Sequence, residues 1–402
     1  MQRGPIYLLM ATIGIIGANS LALSPIASDV ALGLGLNSAP DVMMAAGIYG
    51  VAVAISAALL APQSDRFGAE RVLIWGSLLF SLSLFASALA PSLIILIVAQ
   101  AVAGLAVGVA LPSIYSLASH LAPKGQEARF MGQILAGWTL SMVGGVTLSA
   151  YIADAFGWRA VYGALTVGSS VSLLCLTQLK LPSSTPRNKA TSPITALKIP
   201  GVIPGLFSVA MLGTGFYVIY NFIGAHLETG LALPVKMAGP ITLFYGVGFA
   251  LAIFLDPYLD VVGPRRGLMM VFASLILFYA IYASQLDHYG LLVAGAFVWG
   301  VIQHLGLNLT VGRLTMIDAG KRGAILGLNS MVMYLSVFVA TLIGQKAFAV
   351  GGLTACAIIS AALAVLGATE AFVARKKVVT SGQSVDPSAS PCAPVSPPSL
   401  PS

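Results

Sequence analysis

The chain of 402 residues is 58% hydrophobic and only 8% charged, with a mean hydropathy of +0.94 and a formal net charge of +7. So few charges cannot cover a water-soluble surface, which excludes a soluble enzyme with an ordinary core. The basic excess does not indicate nucleic acid either, because that reading needs a solvated basic face.

Charges gather in short clusters between apolar runs of roughly 20 residues, the length that crosses a bilayer. In chain order the runs 6–27, 42–62, 72–90, 92–118, 130–153, 160–179, 202–224, 238–256, 267–285, 290–312, 324–344 and 349–374 predict twelve membrane-spanning helices. They are long, rich in Leu and Ala and without alternation, so barrel strands are not expected. The first run follows Met1-Gln2-Arg3 and continues too long for a cleaved secretory signal, so it reads as a span. Residues 180–200, opening Lys180-Leu-Pro-Ser-Ser-Thr-Pro-Arg-Asn-Lys189, are the one long internal linker, basic and Pro/Ser-rich. After Lys377 the composition turns to Ser and Pro and predicts disorder. The expected organisation is a six-helix bundle at 1–179, a cytoplasmic linker at 180–200, a second six-helix bundle at 201–377 and a disordered tail at 378–402.

With both termini inside, only Arg159, Lys236 and Lys346 fall on the outer side, leaving 17 of the 20 basic residues inside. The net charge is therefore a topology signal. It predicts a multi-pass protein of the inner (plasma) membrane with cytoplasmic termini. Cys175, Cys356 and Cys392 are scattered without metal or redox spacing and receive no chemistry.

The hairpin Ala61-Pro-Gln-Ser-Asp-Arg-Phe-Gly-Ala-Glu-Arg71 recurs as Asp256-Pro-Tyr-Leu-Asp-Val-Val-Gly-Pro-Arg-Arg266, half a chain later. Pro62, Asp65, Gly68 and Arg71 match Pro257, Asp260, Gly263 and Arg266. One polar hairpin repeated in two apolar halves implies a duplicated membrane bundle, the plan of many secondary carriers. Gly68 and Gly263 suit a tight turn that a Cβ would obstruct. Asp65 is placed to pair with Arg66 or Arg71.

Asp65-Arg66-Phe67-Gly68 followed by Arg71 resembles the signature Gly-x-x-x-Asp-Arg-x-Gly-Arg-Arg/Lys of the major facilitator superfamily, with a degenerate copy between the eighth and ninth spans. The resemblance extends over residues 1–377. Ala61 stands for the leading Gly and Glu70 for one basic residue. It implies an all-α integral membrane fold of two six-helix bundles related by pseudo-two-fold symmetry. It also implies a conformational latch at Asp65, Arg66, Gly68, Arg71, Asp260, Gly263, Arg265 and Arg266.

Within the fifth span, Gly132, Ser141, Gly145, Val146, Ser149 and Ala150 resemble the drug:proton antiporter motif Gly-x8-Gly-x3-Gly-Pro-x2-Gly-Gly, with Val146 where the motif has Pro. The same small-residue stripe serves ordinary close helix packing equally well. In the fourth span Gln100 takes the place of an Arg that relatives use in proton coupling, and Gln carries no charge.

By the same resemblance, spans one, four, seven and ten line a central pathway. Their polar residues are the candidate cavity: Asn19 and Ser24; Gln100; Tyr217, Tyr220 and Asn221; and Gln303, His304 and Asn308. Trp138 on span five and Asn329 on span eleven are added to these. Tyr217, Tyr220 and Asn221 share one helical face. Each of these residues could equally bond a neighbouring helix, and the cluster says more than any member.

No Lys, Arg or carboxylate is expected at mid-depth; Arg313 lies near the end of span ten, and Glu370, late in span twelve, reads as peripheral. An anionic solute would need a cation in the cavity, so a neutral or amphipathic solute is expected. His304 is the one histidine expected within a span and the first candidate for carrying a proton; Asp29, after span one, is the second.

No phosphate loop, metal spacing or triad occurs, so neither an enzyme, a cofactor nor a metal is expected. The leading expectation is a monomeric carrier in the lipid bilayer, moving a small-molecule substrate by rocker-switch alternating access, with proton-coupled efflux. The alternatives are a specific sugar- or nucleoside-like metabolite carrier in either direction, and a non-transporting membrane sensor or assembly protein on the same fold.

Overall fold

A computed structural model describes residues 4–36, 38–60, 67–121, 127–178, 193–318 and 321–381. Every regular element among them is helical. The first half runs through α1 (Gly4–Ala22), the short α2 (Ala27–Gly33), α3 (Ala39–Leu59), α4 (Ala69–Ala88) and α5 (Leu93–Leu121). It continues through α6 (Glu127–Leu140), which passes through a π-helical stretch (Ser141–Val146) into α7 (Thr147–Phe156), and then α8 (Trp158–Gln178). After the short α9 (Pro193–Ala196) come α10 (Val202–Tyr220), α11 (Ile223–Thr229), α12 (Ala238–Leu251), a 3-10 turn (Ala252–Leu255) and α13 (Asp256–Val262). The chain ends in α14 (Pro264–Ala283), α15 (Tyr289–Thr315) and the long α16 (Arg322–Ser381).

Eleven of these segments are long and apolar enough to cross a membrane. The last, Gly323–Val373, holds 51 residues, about two crossings' worth. It breaks at Gly351 (φ −147°, ψ 25°) and Gly352 (φ 60°, ψ −154°), just inside the predicted start of the twelfth span at 349. Side chains such as Leu82, Ile94, Leu174, Leu277 and Ile358 are exposed all round the bundle. In water such a surface would aggregate; against acyl chains it is the solvent-facing layer of a multi-pass membrane protein.

The duplication is visible in the packing. On α5, Gly104 and Gly108 let α3 approach so closely that a Cβ at 108 would lie 2.7 Å from the Val53 carbonyl oxygen. On α15, Gly300 does the same for α12, where a Cβ would lie 2.8 Å from the Phe249 nitrogen. Small residues are what let helix backbones come together without water to drive them. The matched hairpins end alike: Gly68 (φ 87°) and Gly263 (φ 80°) are the residues immediately before α4 and α14, in a region that L side chains rarely adopt.

Two expectations about the spans are corrected. The eighth span is expected to end at Asp256, where the polar hairpin begins, but it extends over Val235–Tyr258 and α13 continues the hairpin as helix to Val262. Glu370 was read as peripheral, yet it is nearly buried and accepts two hydrogen bonds from Arg313, Nη1 to Oε2 at 2.8 Å and Nη2 to Oε1 at 2.7 Å. Ser208 on α10 donates to the same carboxylate at 2.5 Å, so this pair clamps three helices together.

Candidate functional site

The two halves meet along α3 against the first part of α16, and along the π-helical stretch and α7 against α12. Gly47 and Gly50 of α3 make the first contact possible: a Cβ at 50 would lie 2.5 Å from the Tyr334 carbonyl oxygen and one at 47 would lie 3.2 Å from Phe338. Gly246 of α12 receives the backbone of Met142 and Val143 in the same way. The π-helical distortion therefore forms with Val146 in place of proline. Two adjoining glycines, Gly144 and Gly145, weaken the regular helix there.

Polar links between the halves lie at the end of the bundle where α1 finishes. Ser24 donates to the Tyr220 carbonyl, and the Tyr220 hydroxyl donates to the Leu21 carbonyl at 3.3 Å. Gln345 donates to Asp41, Lys236 pairs with Asp154 at 3.4 Å, and the Thr147 and Thr242 hydroxyls are 3.3 Å apart. These contacts seal that end.

Inward from the seal lies a cluster of uncharged polar groups. Asn19 donates to Gln100 at 3.2 Å, and Gln100 donates to Ser87 at 3.0 Å. Gln100 thus ties α1, α5 and α4 together by amide bonds where an Arg would impose a charge. Ser20 and the Tyr49 hydroxyl are 2.9 Å apart, and Tyr49 meets Tyr334 across the interface edge-on, with ring centroids 6.2 Å apart. Tyr115 and Tyr217 lie close to Tyr334. Asn19 Oδ1 and the Tyr334 hydroxyl in this cluster, and Gln303 Oε1 and Asn329 Oδ1 elsewhere on spans ten and eleven, are buried without a partner in bonding geometry among the described residues. Such atoms cost about 1–3 kcal/mol each unless something satisfies them.

An aromatic wall adjoins the cluster in the second half. Phe216 contacts Tyr217, Tyr220, Tyr245 and Trp299 at centroid distances of 4.9, 5.0, 5.4 and 4.9 Å. Trp299 donates to the Tyr279 hydroxyl at 3.3 Å, which fixes the indole.

The predicted cavity residues therefore divide. Asn19, Gln100 and Tyr217 enter the central cluster. Ser24 and Tyr220 belong to the seal. Asn221 bonds Thr341 on α16 at 3.3 Å, and Trp138 packs 3.3 Å from where a Cβ at Gly17 would be, inside the first half. Gln303 is buried and Asn329 half-buried, while Asn308 is exposed. Ser20, Tyr49 and Tyr334 are not among the predicted cavity residues: Ser20 adjoins Asn19 on span one, and Tyr49 and Tyr334 stand on spans two and eleven, outside the four spans expected to line the pathway. A Gly-x-x-Gly facing a Tyr-bearing span was the available signal.

His304 faces Asp256, with Nε2 3.2 and 3.3 Å from the two carboxylate oxygens. Asp29 lies on α2 outside the spans, accepts from the Trp158 N–H and has Oδ2 buried without a partner. Burial pushes its carboxyl above the usual 3.8; Asp154 and Glu228 add to this, and the Trp158 N–H and Arg159 oppose it. Of the latch residues, Asp65 and Arg66 lie outside the described residues, as does the Asp260 side chain; Arg71, Arg265 and Arg266 fall in the first turns of α4 and α14. Cys175 is exposed and Cys356 buried, both free. No group of three His, Cys, Asp or Glu side chains among the described residues is placed to hold a metal.

This geometry has relatives. The Bacillus subtilis protein YwfA, described as an uncharacterized MFS-type transporter, is 27% identical over 398 residues, 96% of each chain. A probable sugar efflux transporter of Mannheimia succiniciproducens is 26% identical over 238 residues, 59% of this chain and 60% of that one. Among solved structures, a point mutant of the nucleoside transporter NupG superposes with a TM-score of 0.74 at 16% identity, covering 92% of this chain and 99% of that one. A bacterial homolog of the human lysosomal transporter Spinster, inward-facing and occupied, superposes with a TM-score of 0.73 at 14% identity, covering 93% and 97%. The profile of the Major Facilitator Superfamily matches residues 8–341. With that match spanning most of the chain and both bundles, the chain belongs to the major facilitator superfamily.

Proposed function

We propose that the protein carries a small neutral or amphipathic solute across the inner (plasma) membrane by rocker-switch alternating access, as a monomer with cytoplasmic termini, exporting it against proton entry. The moving parts are residues 1–179 and 201–377, joined by 180–200. The observation that carries this reading is the uncharged cluster at the interface of the halves, sealed at one end. Its unpartnered amide and hydroxyl oxygens suit a solute with hydroxyl or amide groups, and the aromatic wall suits an apolar face. An anion would be left uncompensated there. His304 is the proton carrier, with Asp29 as second candidate. Asp65, Arg66, Gly68, Arg71, Asp260, Gly263, Arg265 and Arg266 form the latch that changes partners as the halves rock.

A specific metabolite carrier is the second reading. Gln100 and Val146 favour it, since both depart from drug:proton antiporters, and so does the kinship with a probable sugar efflux transporter. A thermal-shift screen of neutral sugars, nucleosides and lipophilic compounds on purified protein tests both. A compound that stabilises the wild type but not Asn19→Ala or Tyr334→Phe supports the assignment. One that stabilises all three equally moves the solute site elsewhere.

A further inference from the structure

His304 lies near the middle of α15, the depth at which an ionisable side chain is costly and calls for a functional account. Its partner was not legible from the hairpin repeat. The 3-10 turn at Ala252–Leu255 tightens the eighth span just before Asp256, and the carboxylate there meets Nε2 at 3.2 and 3.3 Å. Phe249, earlier on the same span, stands edge-on to the imidazole with centroids 4.9 Å apart and fixes the ring plane. The other ring nitrogen, Nδ1, is buried and has no partner among the described residues.

We propose that Asp256 is the positioning carboxylate of a proton-binding site at His304, and that the proton is taken up at Nδ1. The inference rests on the carrier reading above and gives its coupling step a location. A carboxylate accepts only, so it holds neutral His304 as the tautomer with Nε2–H and leaves Nδ1 as the lone acceptor. Uptake of one proton from water at Nδ1 makes an imidazolium whose charge Asp256 balances, and release at Nδ1 reverses it. The charged form fastens span eight to span ten more strongly than the neutral form, because both members of the pair are then ionised.

Among the described residues, Asp256 is bonded by this histidine. Arg313, on the same helix as His304, is engaged by both oxygens of Glu370. Tyr245 on α12 stacks into the aromatic wall. Tyr258, two residues beyond Asp256, is exposed, and Arg265 and Arg266 lie beyond Gly263 in the first turn of α14.

The test is 15N-histidine NMR of the full chain in lipid nanodiscs, with the His304 signals identified by their loss in His304→Gln. The expected result is the Nε2–H tautomer in the neutral ring, conversion to the doubly protonated ring on acidification, and loss of the Nε2–H preference in Asp256→Asn. Asp256→Glu, which keeps a carboxylate, restores the wild-type tautomer and covers the case in which Asp256→Asn does not fold. An Nδ1–H tautomer in the wild type, or an unchanged tautomer in Asp256→Asn, overturns the proposal. Efflux of Nile red from proteoliposomes separates the two readings. Loss of proton-driven efflux in His304→Gln and Asp256→Asn, with both variants reconstituted as monodisperse protein, supports the coupling role. No efflux by wild-type protein with the NMR result intact rejects the carrier reading for this probe and leaves the proton site standing.

Discussion

Replacing Glu370 with Gln should be among the most destabilising single changes in the second bundle. The carboxylate takes two hydrogen bonds from Arg313 at 2.7 and 2.8 Å and one from Ser208 at 2.5 Å, and the Arg313 and Glu370 side chains are only 10% and 11% exposed. Gln keeps the shape but not the charge, leaving a guanidinium without a counter-ion in a low-dielectric setting. Breaking one side of such a pair costs about 3–5 kcal/mol, whereas replacing both members with apolar residues of similar volume is often neutral or better. Thermal unfolding in detergent, followed by loss of the monodisperse peak, should therefore rank Glu370→Gln well below wild type. The double variant Arg313→Met, Glu370→Leu should recover most of the loss. A wild-type melting point for Glu370→Gln, or a double variant no better than the single, would refute the account of this clamp.

Other consequences are as direct. Gly50→Ala places a methyl against the Tyr334 carbonyl and should hold the seal apart, read as a longer spin-label distance between Phe156→Cys and Val350→Cys; an unchanged distance contradicts it. Asp29 has a folded-state carboxyl raised above 3.8, so its contribution is fully present below that pH and is lost as pH rises through the raised value. Asp29→Asn should then raise the melting point at neutral pH, and the gain should vanish toward pH 3.8. Equal melting curves at neutral pH would remove Asp29 from consideration. Tyr334→Phe should weaken apparent solute affinity while leaving expression unchanged, measured by concentration-dependent transport; an effect on expression alone assigns the hydroxyl to packing.

The bundle was legible in the sequence because hydrophobic length and repeat are local signals. Run lengths of roughly 20 residues mark the spans, and the Asp65/Asp260 repeat marks the duplication. The kink at Gly351–Gly352 lies just past the predicted start of the last span, where two adjoining glycines break the helix. Side-chain partners are a different matter, since they depend on how distant spans face each other. Asp256 stands at the predicted end of the eighth span, where Pro257 and the charges after it read as a turn, yet the helix runs on and points it at His304. Arg313 and Glu370, each close to a span end, are 57 residues apart and announce their pairing only in three dimensions. Tyr49 and Tyr334 meet through a glycine groove whose partner face no single span reveals.

The most direct test of the central claim is accumulation of a panel of fluorescent lipophilic probes in efflux-deficient cells. Cells expressing this protein are compared with cells expressing Asp65→Asn, with and without a protonophore. Proton-coupled export by rocking halves predicts lower accumulation of at least one probe, weakened by Asp65→Asn and abolished by the protonophore. Equal accumulation of every probe, with the protein confirmed in the membrane, would contradict proton-driven export of amphipathic compounds.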